Sequence, residues 1–184
     1  MPIAIDDAMP DGRVFDWLGQ DENGVGYYLH PLNLVWSPKG AEHDLERFAD
    51  VARRLAGDSE YWSEIIRTPA WRHTLVGCVC TVLTARSDRF DDLSYRFERG
   101  SFVSPQVCLA MGLVDPDATR SYLADLMARD AIFGSKELGA AQAVLWKLGH
   151  AEPVEKHRAG EATLGSSVVA DQWEFWRGRA GSVA

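Results

Sequence analysis

The residues of this 184-residue chain best suited to metal or thiol chemistry are its three cysteines and a few histidines. Cys78 and Cys80 stand two positions apart in an apolar run, and on an α-helix that spacing turns the side chains about 200° apart, so they cannot share a metal ion. Cys108 also lies among apolar residues. An odd number of cysteines in such surroundings favours buried, reduced thiols in a reducing compartment over a disulfide framework. His43 and Glu46 are three apart on a predicted helix, but two ligands do not make a metal site, and a solvated helix face is the better interpretation.

Nucleophilic catalysis would need a cysteine or serine beside a histidine base. His73 lies five residues before Cys78, which exceeds the spacing of three or four that places two residues on one helix face. Tertiary contacts could still bring His30 or His150 to a cysteine. The chain contains neither a G-x-S-x-G motif nor a phosphate-binding glycine loop. We therefore predict no catalytic residue, no metal ligand and no cofactor, and keep as an alternative an enzyme with an unrecognised active site that uses His30, His73 or a cysteine.

Several aspartates lie near the ends of predicted helices between residues 71 and 149. Carboxylates at helix starts favour the positive end of the helix dipole, so they need no catalytic explanation. If the chain binds a protein partner, these carboxylates are the predicted contacts. They are Asp88, Asp91, Asp92, Asp115, Asp117 and Asp125.

The charge balance limits the classes of partner. The chain has 27 Asp and Glu against 19 Lys and Arg, a formal net charge of −8. This balance argues against nucleic acid and against an anionic membrane, since both are bound through clusters of Lys and Arg. It permits a basic protein partner, although an acidic surface also simply aids solubility. Neither a secretory signal nor a run of about 18 apolar residues is present, and we expect a cytoplasmic protein.

The elements that must position these residues begin with an aromatic, β-favouring region. Residues 13–18 (RVFDWL) and 25–36 (VGYYLHPLNLVW) flank a turn-forming GQDENG segment, which predicts a small N-terminal β-hairpin. Pro31 limits the second strand to an edge position or to its first half. An irregular aromatic cap over the first helices is the alternative.

From residue 41 the apolar spacing changes to three and four, which predicts helices. Asp58 or Ser59 can cap the second of these helices, and Ser135 is predicted to cap a helix over residues 136–148 that stops at Gly149. A residue able to cap, followed by proline, marks three further helix starts at Thr68-Pro69, Ser104-Pro105 and Asp115-Pro116.

The tryptophans divide into two predicted groups. Trp62, Trp71 and Trp146 fall in apolar helix patterns and are predicted to lie in the core. Trp173 and Trp176, in a predicted last helix over residues 168–177, are expected to pack back onto the domain. We predict one helical domain over 1–184. It divides into an N-terminal cap (1–40), a helical core with repeats (41–149) and a C-terminal extension (150–184).

Three apolar segments recur at intervals of thirty-odd residues: WRHTLVGCVCTVL, SPQVCLAMGLV and KELGAAQAVLWKLG. The last of these resembles the second helix of a HEAT-like repeat, with its small residues, its leucines and its final glycine. This resemblance implies a mainly α fold, a short HEAT-like α-α superhelix or right-handed helical stack. The segment from Ser104 is short for a repeat helix, and nothing before Thr68 keeps the period, so a non-repetitive helical bundle is the alternative.

The segment ERGSFVSPQVCLAMGLVDPD looks like a stretch of small bacterial helical-repeat proteins that act as immunity partners of toxins. This resemblance implies a non-catalytic binding protein that neutralises a toxin through its acidic helical surface, and a basic toxin domain is the partner that such a surface would suit. The other hypotheses are a structural or adaptor subunit of a larger complex, in which the aromatic ends would be docking surfaces, and the enzyme described above. The sequence leaves the oligomeric state open.

Overall fold

The computed structural model describes residues 9–20, 23–24, 26–29, 41–132, 134–150 and 161–183, and these fold as α-helices with short 3-10 turns and no β-strand. The α-helices of this part are α1 (Arg13–Leu18), α2 (Ala41–Ala56), α3 (Ser59–Arg67), α4 (Trp71–Leu83), α5 (Phe90–Glu98), α6 (Ser104–Val114), α7 (Pro116–Ala128), α8 (Ser135–Lys147) and α9 (Glu161–Arg177).

The predicted first strand of the hairpin is wrong, because residues 13–18 form α1. Val14 and Leu18 are four apart, and both are fully buried, which is the spacing of a helix face. Gly19 follows with a positive φ of 74° and ends the helix. A single antiparallel bridge joins Gln20 to Gly26, and a 3-10 turn covers Tyr27–Leu29. Residues 30–36 of the predicted second strand lie outside the described residues.

Most of the predicted helix starts agree with the structure. Asp58 caps α3 by accepting from the Tyr61 amide at 3.1 Å, and Asp115 caps α7 by accepting from the Ala118 amide at 3.0 Å. Pro105 and Pro116 stand in the first turns of α6 and α7.

Three predicted caps differ from what the structure shows. Ser104 is the first residue of α6, and Val103 is the capping residue. Pro69 lies in the connection before α4, where the Thr68 hydroxyl accepts from the Ala70 amide at 3.2 Å. Ser135 is the first residue of α8, and Gly134 is the capping residue. In all three cases, the helix begins one or two residues away from the position that the sequence pattern indicates.

Helices α3 and α5 lie side by side and run in the same direction. Near their starts, the Arg89 guanidinium donates to the Ser59 carbonyl at 3.1 Å. Near their ends, the Arg96 guanidinium donates to the Thr68 carbonyl at 3.2 Å. The hydroxyl of Tyr122, from α7, donates to the backbone of α5.

Helices α4, α6 and α8 form a second set that also runs in one direction. Their starts meet, since the Trp71 ring lies 5.3 Å from the Phe102 ring and Lys136 Nζ lies 3.1 Å from the Phe102 carbonyl. The other ends of α6 and α8 meet as well, because a Cβ added at Gly112 would lie 2.8 Å from Val144. Val82 and Ala110, in the later turns of α4 and α6, line one crevice. Both sets together bury a continuous apolar core.

The last helix, α9, packs against α6 and α8 and runs parallel to α8. Gly165 is so close to α8 that an added Cβ would lie 2.0 Å from the Lys136 carbonyl, and Lys147 Nζ lies 3.5 Å from the Glu174 carboxylate at the other end. The chain then returns to α4, where the Val183 amide donates to the Leu83 carbonyl at 2.9 Å. Helix α9 begins earlier than predicted, and it covers one face of the α4–α6–α8 set.

The tryptophan predictions are confirmed in part. Trp62 is fully buried, and Trp173 and Trp176 pack back onto the helical core as expected. Trp71 is only partly buried. The prediction for Trp146 is wrong: its side chain, near the end of α8, is 51% exposed.

Candidate binding surface

A row of aromatic and cationic side chains crosses the edge where α4, α6 and α8 begin. It consists of Arg72, Trp71, Phe102 and Lys136, and we call it the aromatic strip. The Arg72 guanidinium lies 4.5 Å from the centre of the Trp71 ring, the Trp71 and Phe102 rings are 5.3 Å apart, and Lys136 Nζ lies 5.6 Å from the Phe102 ring. Each step is within the distance at which cations and aromatic rings attract one another.

Phe102 is the exposed aromatic ring of the strip, with 67% of its surface open to solvent. The Lys136 ammonium holds the loop that carries it, donating to the Ser101 carbonyl at 2.8 Å and to the Phe102 carbonyl at 3.1 Å. The Ser104 hydroxyl also donates to the Ser101 carbonyl, at 2.9 Å. An exposed phenylalanine on a fixed loop is prepared for contact, because little further ordering is needed when a partner covers it.

The charged members of the aromatic strip, Arg72 and Lys136, are both cations. In the described part of the chain, no carboxylate forms an ion pair with Arg72 or Lys136, and both cations instead contact aromatic rings. Helices α4 and α6 start here with neither a side-chain cap nor an acidic residue in their first turns. Their positive dipole ends are therefore not offset locally, whereas α8 has Glu137 in its first turn.

The predicted aspartates do not form one strong acidic patch. Asp88, Asp91, Asp117 and Asp125 are exposed, whereas Asp115 is half-buried as the cap of α7. Asp117 and Asp125 pair with arginines one helical turn away, at 2.9 Å and 2.6 Å. Hydrogen bonding with Arg86 lowers the pKa of Asp88 to about 2. Most of these carboxylates therefore already have cations beside them.

Asp92 lies inside the protein, with 6% of its surface exposed. Its carboxylate accepts from Arg67 Nε at 2.6 Å and from the Ser63 hydroxyl at 2.8 Å, and it lies 3.5 Å from Arg89 Nη1. Arg89 is itself buried. This network ties α3 to α5, so we assign Asp92 to the core and not to a contact surface.

The negative charge of the chain is concentrated in its first 58 residues. Residues 1–58 contain 11 Asp and Glu and 5 Lys and Arg, a net charge of −6. Residues 59–184 contain 16 and 14, a net charge of only −2. The outer surface of α5 and α7 is thus a mixture of both signs.

His73 and the three cysteines lie in packed surroundings. His73 is buried: its ring lies 4.5 Å from the Phe15 ring, and Nε2 is 3.4 Å from the Asp11 carbonyl. In the residues that the structure describes, its Nδ1 has no hydrogen-bond partner, and burial lowers the pKa of the side chain. The three cysteines are free and buried, and burial raises the pKa of each thiol. His30 and the side chain of His43 lie outside the described residues, and His150 is exposed.

Two clefts lie between helices of the described residues. The larger, of about 420 Å³, lies between the end of α5 and the connection from α7 to α8, and its walls include Phe97, Glu98, Leu126 and Glu137. The smaller is a crevice of about 10 Å³ between α4, α6 and α9. Neither lining contains a histidine. No group of three or more His, Cys, Asp or Glu suited to a metal ion occurs among the described residues.

Sequence reasoning missed the aromatic strip, although a signal for it was present. Trp71 and Lys136 begin the first and third recurring apolar segments, and Phe102 lies two residues before the second, so the three residues are 31 and 34 positions apart. Equivalent positions of stacked helices meet along one edge, so residues at this spacing become neighbours.

Comparisons with known proteins add no relative: the chain matches no family model, no curated protein and no solved structure. Among the described residues, no helix has both the length and the apolar character needed to cross a membrane.

Proposed function

We propose that this chain is a non-catalytic protein-binding module that contacts its partner through the aromatic strip. The observation that carries the proposal is Phe102, a large apolar side chain held open to solvent on a fixed loop, with the Lys136 ammonium beside it and the Trp71 ring on its other side. Tryptophan, tyrosine and arginine are the residue types that dominate binding energy at protein interfaces, and an aromatic anchor ringed by polar groups is the usual arrangement.

The helix directions support a HEAT-like stack. In this interpretation α3–α4, α5–α6 and α7–α8 are successive helix pairs, with the first helix of each pair in one layer and the second in the other. Helix α9 then lies on the α4–α6–α8 layer, the layer that would otherwise line a curved binding face. A partner would therefore find the edge of this layer, where the aromatic strip lies, more accessible than the face.

The most specific form of the proposal is an immunity-type protein that neutralises a toxin partner, with exposed aspartates as further contacts for a basic toxin domain. Asp91 is the best placed of these, because it is exposed and no cation of the described residues pairs with its carboxylate. The alternative is a structural or adaptor subunit, which would use the same strip for permanent assembly.

The test compares three variants of the tagged chain in affinity capture from the native host, with bound proteins identified by mass spectrometry. Phe102→Ser removes the anchor of the strip. Asp91→Lys with Asp117→Lys reverses the charge of two exposed carboxylates, one on α5 and one on α7. Trp146→Ser is the matched control, because it removes an exposed aromatic ring at the opposite end of α8. Like Phe102, this ring has a lysine beside it: Lys147 Nζ lies 5.4 Å from its centre.

The proposal expects a protein that is captured by the wild type and by Trp146→Ser and is lost with Phe102→Ser. Loss with the aspartate double variant as well would support the immunity-type form. Capture that survives Phe102→Ser would contradict the assigned surface. A fixed stoichiometric complex in light scattering of the purified native material would favour the subunit alternative.

A further inference from the structure

Both charged side chains of the aromatic strip are cations, and this limits the kind of partner that can bind there. We infer that it binds an extended acidic segment of a protein, in which an apolar side chain packs on Phe102 while carboxylates on either side reach Arg72 and Lys136. The inference rests on the proposed function and specifies the chemistry of the partner at the same surface.

Both cations of the aromatic strip can donate further hydrogen bonds to a partner. A lysine ammonium has three donors, and Lys136 uses two of them for the Ser101 and Phe102 carbonyls, which leaves one for an incoming acceptor. The Arg72 side chain is exposed, and its guanidinium lies between the Trp71 and Tyr28 rings, at 4.5 Å and 5.8 Å. Stacking orients this planar group, so that its edge donors are available to a carboxylate.

The dimensions of the strip set the length of the segment. Three distances set an upper limit on the length of the strip. They are 4.5 Å from the Arg72 guanidinium to the Trp71 ring, 5.3 Å from there to the Phe102 ring, and 5.6 Å from that ring to Lys136 Nζ. Together they span at most about 15 Å, and an extended chain rises about 3.3 Å per residue, so four or five residues cover it. The two carboxylates are therefore expected about four positions apart, with the apolar residue between them.

A single-stranded nucleic acid would also present negative charge and flat rings to such a surface. The strip favours a protein segment because it offers only two cations, in a chain of net charge −8, whereas phosphate binding depends on many Lys and Arg contacts.

Nuclear magnetic resonance titration of the full chain would test this inference. The probes are Ac-Glu-Ala-Leu-Ala-Glu-NH2, its counterparts with Gln or Lys in place of Glu, and a single-stranded oligonucleotide of eight thymidines. The signals followed are the Trp71 indole N–H and the Phe102 and Lys136 amides. The Trp146 indole N–H serves as an internal reference on the same helix layer.

The acidic peptide is expected to give saturable shifts at the strip but not at Trp146, and to bind about tenfold more tightly than the Gln peptide, since hydrogen bonds to charged groups are the stronger ones. Arg72→Gln is expected to weaken it about tenfold, whereas Lys147→Gln, which removes the cation beside Trp146, is expected to leave it unchanged.

Equal binding of the Gln or Lys peptide, tighter binding of the oligonucleotide, or no saturable shift with the acidic peptide at millimolar concentration would each overturn the inference. If Phe102→Ser abolishes partner capture while the acidic peptide fails to bind, the protein-binding function stands and only the assigned partner chemistry falls.

Discussion

Removing the carboxylate of Asp92 is expected to destabilise the fold by about 3 kcal/mol. Breaking a buried ion pair typically costs about 3–5 kcal/mol, because the remaining charge is left without compensation inside the protein. That charge here is Arg89, which is buried and lies 3.5 Å from the carboxylate. The lower end of the range applies because Asp88 also pairs with Arg89, at 3.2 Å, and would still do so. Arg67 is half exposed, so its pair with Asp92 adds at most about 1 kcal/mol.

Urea unfolding of Asp92→Ala, followed by circular dichroism, measures this effect. With a denaturant slope of about 2 kcal/mol per molar, the midpoint should fall by about 1.5 M. Asp91→Ala is the matched control on the same turn. Its side chain is exposed and contributes through the helix dipole alone, so its cost should stay below about 1 kcal/mol. If the free energy of unfolding of Asp92→Ala lies within about 0.5 kcal/mol of the wild-type value, Asp92 is not part of a buried network and becomes a candidate surface contact again.

Three further predictions concern the core. The lowered pKa of His73 means that the unfolded chain binds a proton more readily than the folded one, so stability should fall as the pH drops below about 6.5. In thermal melts between pH 7 and 5, this loss should be smaller in His73→Gln, while His150→Gln, which changes an exposed histidine, should follow the wild type. Gly165→Ala should cost at least about 1–3 kcal/mol in urea unfolding, because the new methyl group would meet the Lys136 carbonyl at 2.0 Å. Gly178→Ala, whose methyl group would meet nothing closer than 3.6 Å, should be near neutral, and equal effects would refute the close approach of α8 and α9. The three buried cysteines should resist a thiol reagent such as Ellman's in the native protein and react fully in guanidinium, and rapid native reaction would contradict their burial.

Local signals in the sequence predicted much of the helical architecture. The stripe of apolar residues at spacings of three and four, the aspartate caps of α3 and α7 and the prolines in α6 and α7 all act within one or two helical turns, so a linear pattern contains them. The short helix α1 was missed because Val14, Phe15 and Trp17 favour strands when considered alone. Contacts with residues distant in sequence, such as that of the Phe15 ring with the His73 ring, stabilise the helix instead.

The candidate site depends on contacts that no local pattern contains. Phe102 is an ordinary loop residue in sequence, and its importance comes from Trp71 and Lys136, which lie 31 positions before it and 34 after it. Asp92 and Asp91 are adjacent in sequence and look equivalent, yet a rotation of about 100° along the helix buries one and exposes the other. Only the packing of α5 against α3 distinguishes them.

The central claim, that the aromatic strip is a protein-binding surface, is tested most directly by isothermal titration of the purified captured partner into Phe102→Ser and Trp146→Ser. An aromatic anchor at the centre of an interface contributes about 2 kcal/mol or more, so Phe102→Ser should weaken binding at least about 30-fold. The affinity of Trp146→Ser should stay within about twofold of the wild type. Equal affinities for the two variants would contradict the claim.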